Sequence, residues 1–170
     1  MGYSDDALLY YGLAKDLSNT NMQASILGNI AGIYNDKGEL DKALSYLEKS
    51  LSLETNEEEK ATTYNNIAMI YYQKGDYQNA VEYFQKAIEI YEKYGDYHGV
   101  SMVKLNLGDI YREMKDYKNA EKYLSEGLEG VKKVGDKYWE ATGYGYLGVF
   151  YANKGNIESK RTHCSCIQSL

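Results

Sequence analysis

Two histidines and two cysteines are the side chains of this chain that titrate or ligate most readily near neutral pH, and their placement points away from a reaction centre. His98 follows a Gly-Asp pair, with no nucleophile or acid at a suitable spacing, and reads as a solvated residue in the first turn of a helix. His163-Cys164-Ser165-Cys166 offers three soft ligands, whereas a structural zinc site uses four, usually with Cys-x-x-Cys spacing. Cys166 stands one place off the position of a prenylation box. No segment reads as a strand, so no Gly-rich phosphate loop sits at a strand–helix junction. No catalytic residue, metal or cofactor is expected, and the chain is not expected to be an enzyme. The chemistry that repeats is that of recognition: Asn29, Asn66 and Asn106 stand at matching places. A carboxamide carries both an acceptor and donors, so it pairs with the N–H and C=O of an extended main chain together.

The elements that hold these asparagines follow from a repeated frame. Tyr34, Tyr71, Tyr111 and Tyr151 are spaced 37, 40 and 40 residues apart. Four residues before each stands an aliphatic (Ile30, Ile67, Leu107, Leu147), and three before a tiny residue (Ala31, Ala68, Gly108, Gly148). Four after comes Gly38, Gly75 and Gly155, with Lys115 as the exception; six after comes Leu40, Tyr77, Tyr117 and Ile157. Nine after comes Ala43, Ala80 and Ala120, but Lys160; thirteen after comes Leu47, Phe84 and Leu124, but Cys164. Spacings of one, three and four put aliphatic, tiny and tyrosine residues on one helix stripe. The glycine permits positive φ and stops that helix. Asp76 and Asn156 then stand where a cap starts the next one. Such a hairpin cannot cover its own apolar face, so hairpins must stack.

With small residue, turn tyrosine, Gly-x-Tyr, then Ala and Leu/Phe in order, the pattern resembles the tetratricopeptide repeat over about residues 4 to 157. The usual unit is about 34 residues. The excess here falls between hairpins, at Glu54-Thr55-Asn56-Glu57, Gly95-Asp96-Tyr97 and Gly135-Asp136-Lys137, each reading as a helix stop and cap. Repeats near 40 residues are similar to those of kinesin light chains, Pins-type polarity adaptors and many prokaryotic regulatory proteins. The resemblance implies an all-α fold, a right-handed superhelical solenoid of antiparallel helix-turn-helix hairpins. The expected organisation is a solenoid over residues 1–160. It comprises a half repeat at 1–18, repeats at about 21–54, 57–94 and 97–134, a half repeat at 137–160, and an irregular tail at 161–170. Residues Ala7, Tyr11, Ala14 and Leu17 carry the first half repeat.

In this family the first helices line the concave side. Offsets of nine, five and two before the tyrosine and two after share the exposed face. That face holds Ser25, Asn29, Gly32 and Asp36, then Thr62, Asn66, Met69 and Gln73, then Met102, Asn106, Asp109 and Glu113, with Tyr72 and Arg112 at the rim. In kinesin light chains asparagines at this place grip a bound main chain; the resemblance carries that role to Asn29, Asn66 and Asn106. The fourth unit has Tyr146 there instead. The peptide-binding set is therefore Asn29, Asn66, Asn106, Met69, Tyr72, Gln73, Asp109, Arg112 and Glu113. Asp36, Asp109 and Glu113 against Arg112 make the face mildly acidic, which suits a segment with basic residues and apolar anchors. Met69, Met102 and Leu105 read as an adaptable apolar patch or as helix-packing core. The carboxylate clamp of chaperone-binding relatives needs Lys and Arg where this chain has Gly28, Gly32, Met102 and Asn106.

Composition agrees. The chain has 170 residues, a net charge of -6 and no proline. Its acidic and basic residues are interspersed, so no basic face for nucleic acid is expected. No apolar run approaches the about 20 residues of a membrane span. Both cysteines lie in the last seven residues, so the body has no disulfide framework and a cytoplasmic setting is expected. The expected function is a non-enzymatic scaffold binding a protein or peptide segment. The alternatives are a homo-oligomer formed by end-to-end stacking of uncapped terminal helices such as that of Leu8 and Leu9, and the regulatory portion of a larger signalling protein, as in Rap-type regulators.

Overall fold

The computed structural model describes residues 3–16 and 19–167, with side chains for 7–14 and 19–155. Among the described residues eight helices follow one another: α1 (Tyr3–Asp16), α2 (Thr20–Asp36), α3 (Leu40–Leu53), α4 (Glu57–Gln73), α5 (Tyr77–Tyr94), α6 (Tyr97–Glu113), α7 (Tyr117–Val134) and α8 (Lys137–Ile167). No strand occurs among the described residues. The fold is all-α, built of antiparallel helical hairpins, and the chain forms two compact units, Met1–Tyr94 and Gly95–Leu170. Leu17 and the side chains of His163, Cys164 and Cys166 lie outside the described residues.

Each hairpin turn is a Schellman motif hung on the frame tyrosine. The carbonyl of Tyr34 accepts the N–H of Glu39 at 2.8 Å; Tyr71 accepts that of Asp76, and Tyr111 that of Asp116, each at 2.9 Å. The residue before that donor must be left-handed, and Gly38 and Gly75 sit at φ 74° and 75°. Lys115 adopts the same conformation at φ 63°, although its side chain disfavours it. The caps follow: Asp76 accepts from Asn79 N–H and Asp116 from Asn119 N–H, both at 3.2 Å, and Asp96 accepts from Gly99 N–H at 2.9 Å.

The tiny, aliphatic and tyrosine stripe faces inward as its spacing requires. In the first unit Ala31, Ala43, Leu44, Leu47, Ile67 and Ile70 form the buried cluster. In the second, Leu105, Ala120, Leu124, Leu128, Val131 and Phe150 do so. Each frame tyrosine stacks on a tyrosine of its own second helix. Tyr34 lies on Tyr46, Tyr71 on Tyr83 and Tyr111 on Tyr123, with ring centroids 5.3, 5.5 and 5.3 Å apart and planes within 14°. Burial, then the neighbouring Tyr83 and Tyr123 rings, raise the phenol pKa of Tyr71 and Tyr111 respectively.

The last helix departs from the frame. Gly155 was expected to turn and Asn156 to cap, yet α8 continues unbroken from Lys137 to Ile167. The physical reason lies nine and thirteen residues beyond Tyr151, where Lys160 and Cys164 replace the Ala and Leu/Phe that fold a second helix back. Among the described residues the α8 surface is only partly covered: Leu147 packs on the core, whereas Tyr144, Val149 and Tyr151 are each about half exposed, and a Cβ added at Gly148 would meet no atom within 4 Å.

Candidate functional site

In the first unit, α2 and α4 are the two helices that carry the expected face. Asn19 caps α2 by accepting from Met22 N–H, and Asn56 caps α4 by accepting from Glu58 N–H, both at 3.0 Å. Ala24, Leu27, Ile30 and Ala31 of α2 and Ala61, Ile67, Ala68 and Ile70 of α4 turn inward. That rotation leaves Ser25, Asn29, Gly32, Thr62 and Asn66 exposed. Asn29 and Asn66 are brought together on the wall of one cavity of about 390 Å³. A second, of about 170 Å³, shares Asn66 and Gly28 with the first and adds Asn35 and Met69. The glycines keep this groove open: a Cβ at Gly32 would meet nothing within 4 Å, and one at Gly28 only Ser50 Oγ at 4.0 Å.

The floor of the larger cavity holds a residue that the sequence reading passed over. Glu54 ends α3, its N–H bonded to Ser50 O at 3.1 Å, and it is only 9% exposed. Its Oε1 accepts from Thr63 Oγ1 at 2.5 Å and lies 3.1 Å from Ser50 Oγ, which in turn is 2.7 Å from Ala24 O. The signal was available. Twenty residues after each frame tyrosine stand Glu54, Tyr91 and Val131, all buried, so a carboxylate occupies a place that the later repeats give to packing.

The second unit treats the same face differently. All of Leu105 to Ile110 is buried, because α7 and α8 both pack on α6. The approach of α7 is close: a Cβ on Gly127 would lie 2.9 Å from Ser101 O and from Leu105 N. Asn106 is therefore 8% exposed, not an open counterpart of Asn29 and Asn66. The acidic character expected of Asp109 and Glu113 is also reduced. Arg112 reaches Asp109 at 2.6 Å and Glu113 at 2.7 Å, and Asp109 is 5% exposed. Burial, and then the charge of Asp109, raise the pKa of Tyr146. Leu105 is fully buried core and Met102 half-buried. Of the remaining candidates, Tyr72 is half-buried with its ring 6.0 Å from that of Tyr77, and Gln73 is exposed.

His98 was expected to be solvated; instead its Nε2 lies 2.7 Å from Asp136 Oδ2, tying the start of α6 to the cap of α8. The Trp139 N–H, and then His98, hold the Asp136 carboxyl below its ordinary pKa. Among the described residues no group of three or more His, Cys, Asp and Glu converges as a metal site, and no helix is long and apolar enough to cross a membrane.

Repeated hairpins joined by tyrosine-anchored turns, with a first-helix face left open, define a helical-repeat interaction module. The family model described as tetratricopeptide repeat matches residues 22–93 and 59–133, and the chain belongs to that family. No curated protein matches the chain significantly. Solved structures share the fold. BtubC (BKLC) from P. vanneervenii superposes with a TM-score of 0.81 at 23% identity, covering 95% of this chain and 70% of that one. The apo form of RapI gives 0.76 at 22%, covering 86% and 43%. A signal transduction ATPase with numerous domains from Pyrococcus horikoshii, which has a tetratricopeptide repeat sensor, gives 0.80 at 26%, covering 92% and 25%. The chain thus spans less than half the length of the latter two proteins.

Proposed function

We propose that the α2–α4 face of the first unit holds an extended segment of a partner protein, with Asn29 and Asn66 gripping its main chain and Met69 receiving an apolar side chain. The observation that carries this is the pair of adjoining cavities that share Asn66 and are kept open by Gly28 and Gly32. A repeat family whose members generally bind protein partners supports it. In the second unit Asp109, Arg112 and Glu113 are paired with one another and Asn106 is buried, so that face lacks the open carboxamides of the first. The work is binding, without a chemical step. The test is Asn29→Ala with Asn66→Ala, measured by calorimetry against a peptide selected on the wild-type protein from a random displayed library. Loss of two main-chain-pairing carboxamides is expected to weaken binding by about tenfold or more with helicity unchanged. Unaltered affinity rejects the groove.

A second reading rests on a different observation. The exposed Tyr144, Val149 and Tyr151 of α8 and the exposed Leu9 and Leu13 of α1 are apolar surfaces of the kind that stack end to end between copies. Such assembly leaves the α2–α4 groove free, so the two readings are compatible. The likeness to repeat portions of longer regulators supports placing the chain as the sensing part of a signalling protein, with its output lying in other domains.

A further inference from the structure

We infer that the α2–α4 groove contains a cation subsite at Glu54, which takes the ammonium or guanidinium group of a lysine or arginine in the bound segment. This rests on the groove reading above and adds the chemical class of the ligand. Among the described residues, two buried side-chain polar atoms lack a hydrogen-bond partner: Glu54 Oε2 and Asn35 Oδ1. Both are acceptors, and each residue lines one of the two adjoining cavities. A buried acceptor without a donor is costly, so a site that keeps two of them is suited to a ligand rich in N–H groups. Glu59 stands on the wall of the same cavity as Glu54, and among the described residues no lysine or arginine lines it, so its lining carries negative charge.

The fold itself does not need the second oxygen of Glu54. The clasp between the end of α3 and the side of α4 runs through Oε1 alone, to the Thr63 and Ser50 hydroxyls. An amide oxygen would serve that clasp equally. The later repeats fill the equivalent place with Tyr91 and Val131, both buried. A carboxylate there is surplus to packing, and its remaining chemistry is to accept from, and neutralise, a cation.

The second acceptor fixes a spacing. Glu54 is joined through Ser50 to Ala24, and Asn35 lies eleven residues further along α2. At about 1.5 Å per residue Ala24 and Asn35 stand roughly 16 Å apart along the helix axis. An extended chain covers that in about five residues at roughly 3.3 Å each. The bound segment therefore carries its basic residue about five positions from a residue whose N–H or side-chain donor meets Asn35, with Asn66 on the wall that both cavities share.

The test uses the whole chain, isotope-labelled, titrated with N-acetylarginine amide and with uncharged N-acetylnorleucine amide while amide resonances are followed. The arginine probe is expected to shift resonances of Ser50 to Thr63 and the Asn66 side chain. Norleucine is expected to leave the Glu54 end unmoved, and Glu54→Gln is expected to weaken the arginine probe by about tenfold or more. Equal shifts from both probes, an unchanged response in Glu54→Gln, or no response to arginine up to on the order of 10 mM each overturn the subsite. If Glu54→Gln does not keep its helicity, the salt dependence of wild-type binding decides: arginine binding must weaken as salt is added. The groove reading fails on separate ground, when Asn29→Ala with Asn66→Ala leaves a selected peptide's affinity unaltered.

Discussion

Replacing Lys115 by glycine should stabilise the second unit. Three turns share one hydrogen-bond pattern, and two of them place glycine at the left-handed position. Lys115 holds φ 63° there, and a side chain in that conformation costs about 1–2 kcal/mol. Glycine relieves this but gives the unfolded chain more freedom, which returns about 0.4–1 kcal/mol. At the midpoints of these ranges the net gain is about 0.8 kcal/mol, and the Lys115 side chain is exposed, so little packing is lost with it. For a unit of this size that gain amounts to about 2–8 °C in Tm. Urea denaturation followed by circular dichroism should show a higher midpoint at an unchanged slope. The reciprocal change, Gly75→Lys, should lower the midpoint, by about 1 kcal/mol in stability. A Lys115→Gly protein that is no more stable than wild type, or a Gly75→Lys protein that loses nothing, refutes the equivalence of the turns.

The same logic separates two glycines at one repeat position. A Cβ on Gly108 would lie 2.6 Å from Leu124 Cγ and 2.9 Å from its backbone N, so Gly108→Ala should cost about 1–3 kcal/mol in denaturant titration. Gly148, with no atom within 4 Å of its added Cβ, should instead gain up to about 1 kcal/mol as Ala from helix propensity; equal signs for the two would contradict the packing described. Sedimentation equilibrium over a range of concentrations reads the end-stacking proposal: association that is lost in Tyr144→Lys with Tyr151→Lys is expected, and a strict wild-type monomer removes it.

The hairpins were legible because their determinants are local. Tyrosine, tiny residue, glycine and cap recur at fixed offsets, and each acts within a turn or two of chain. The face of the first unit was legible for the same reason, since helical spacing alone puts Asn29 and Asn66 on the open side. Asn106 shares that spacing but not its surroundings: the glycines that draw α7 close and the helix that closes over α6 are tertiary facts. The Asp109–Arg112 pair was present in the sequence at helical i,i+3 spacing, where opposite charges meet; counting both as free groove charges overlooked this. Lys115 shows that the turn outlasts the loss of its favoured residue, while Gly155 shows that a turn residue fails without a second helix to fold back. Glu54 was hidden by its position at a helix end, although its alignment with Tyr91 and Val131 marked it as buried.

The central claim is that a partner's main chain runs along α2 and α4 of the first unit. Nuclear Overhauser contacts between a library-selected peptide and the labelled protein test it most directly. The account predicts contacts from the Asn29 and Asn66 side-chain amides to the peptide backbone, with the peptide's basic side chain near Glu54. A peptide whose contacts fall on the tyrosine-stacked side, or on the exposed Tyr144 and Tyr151 of α8, with none to Asn29 or Asn66, would contradict it.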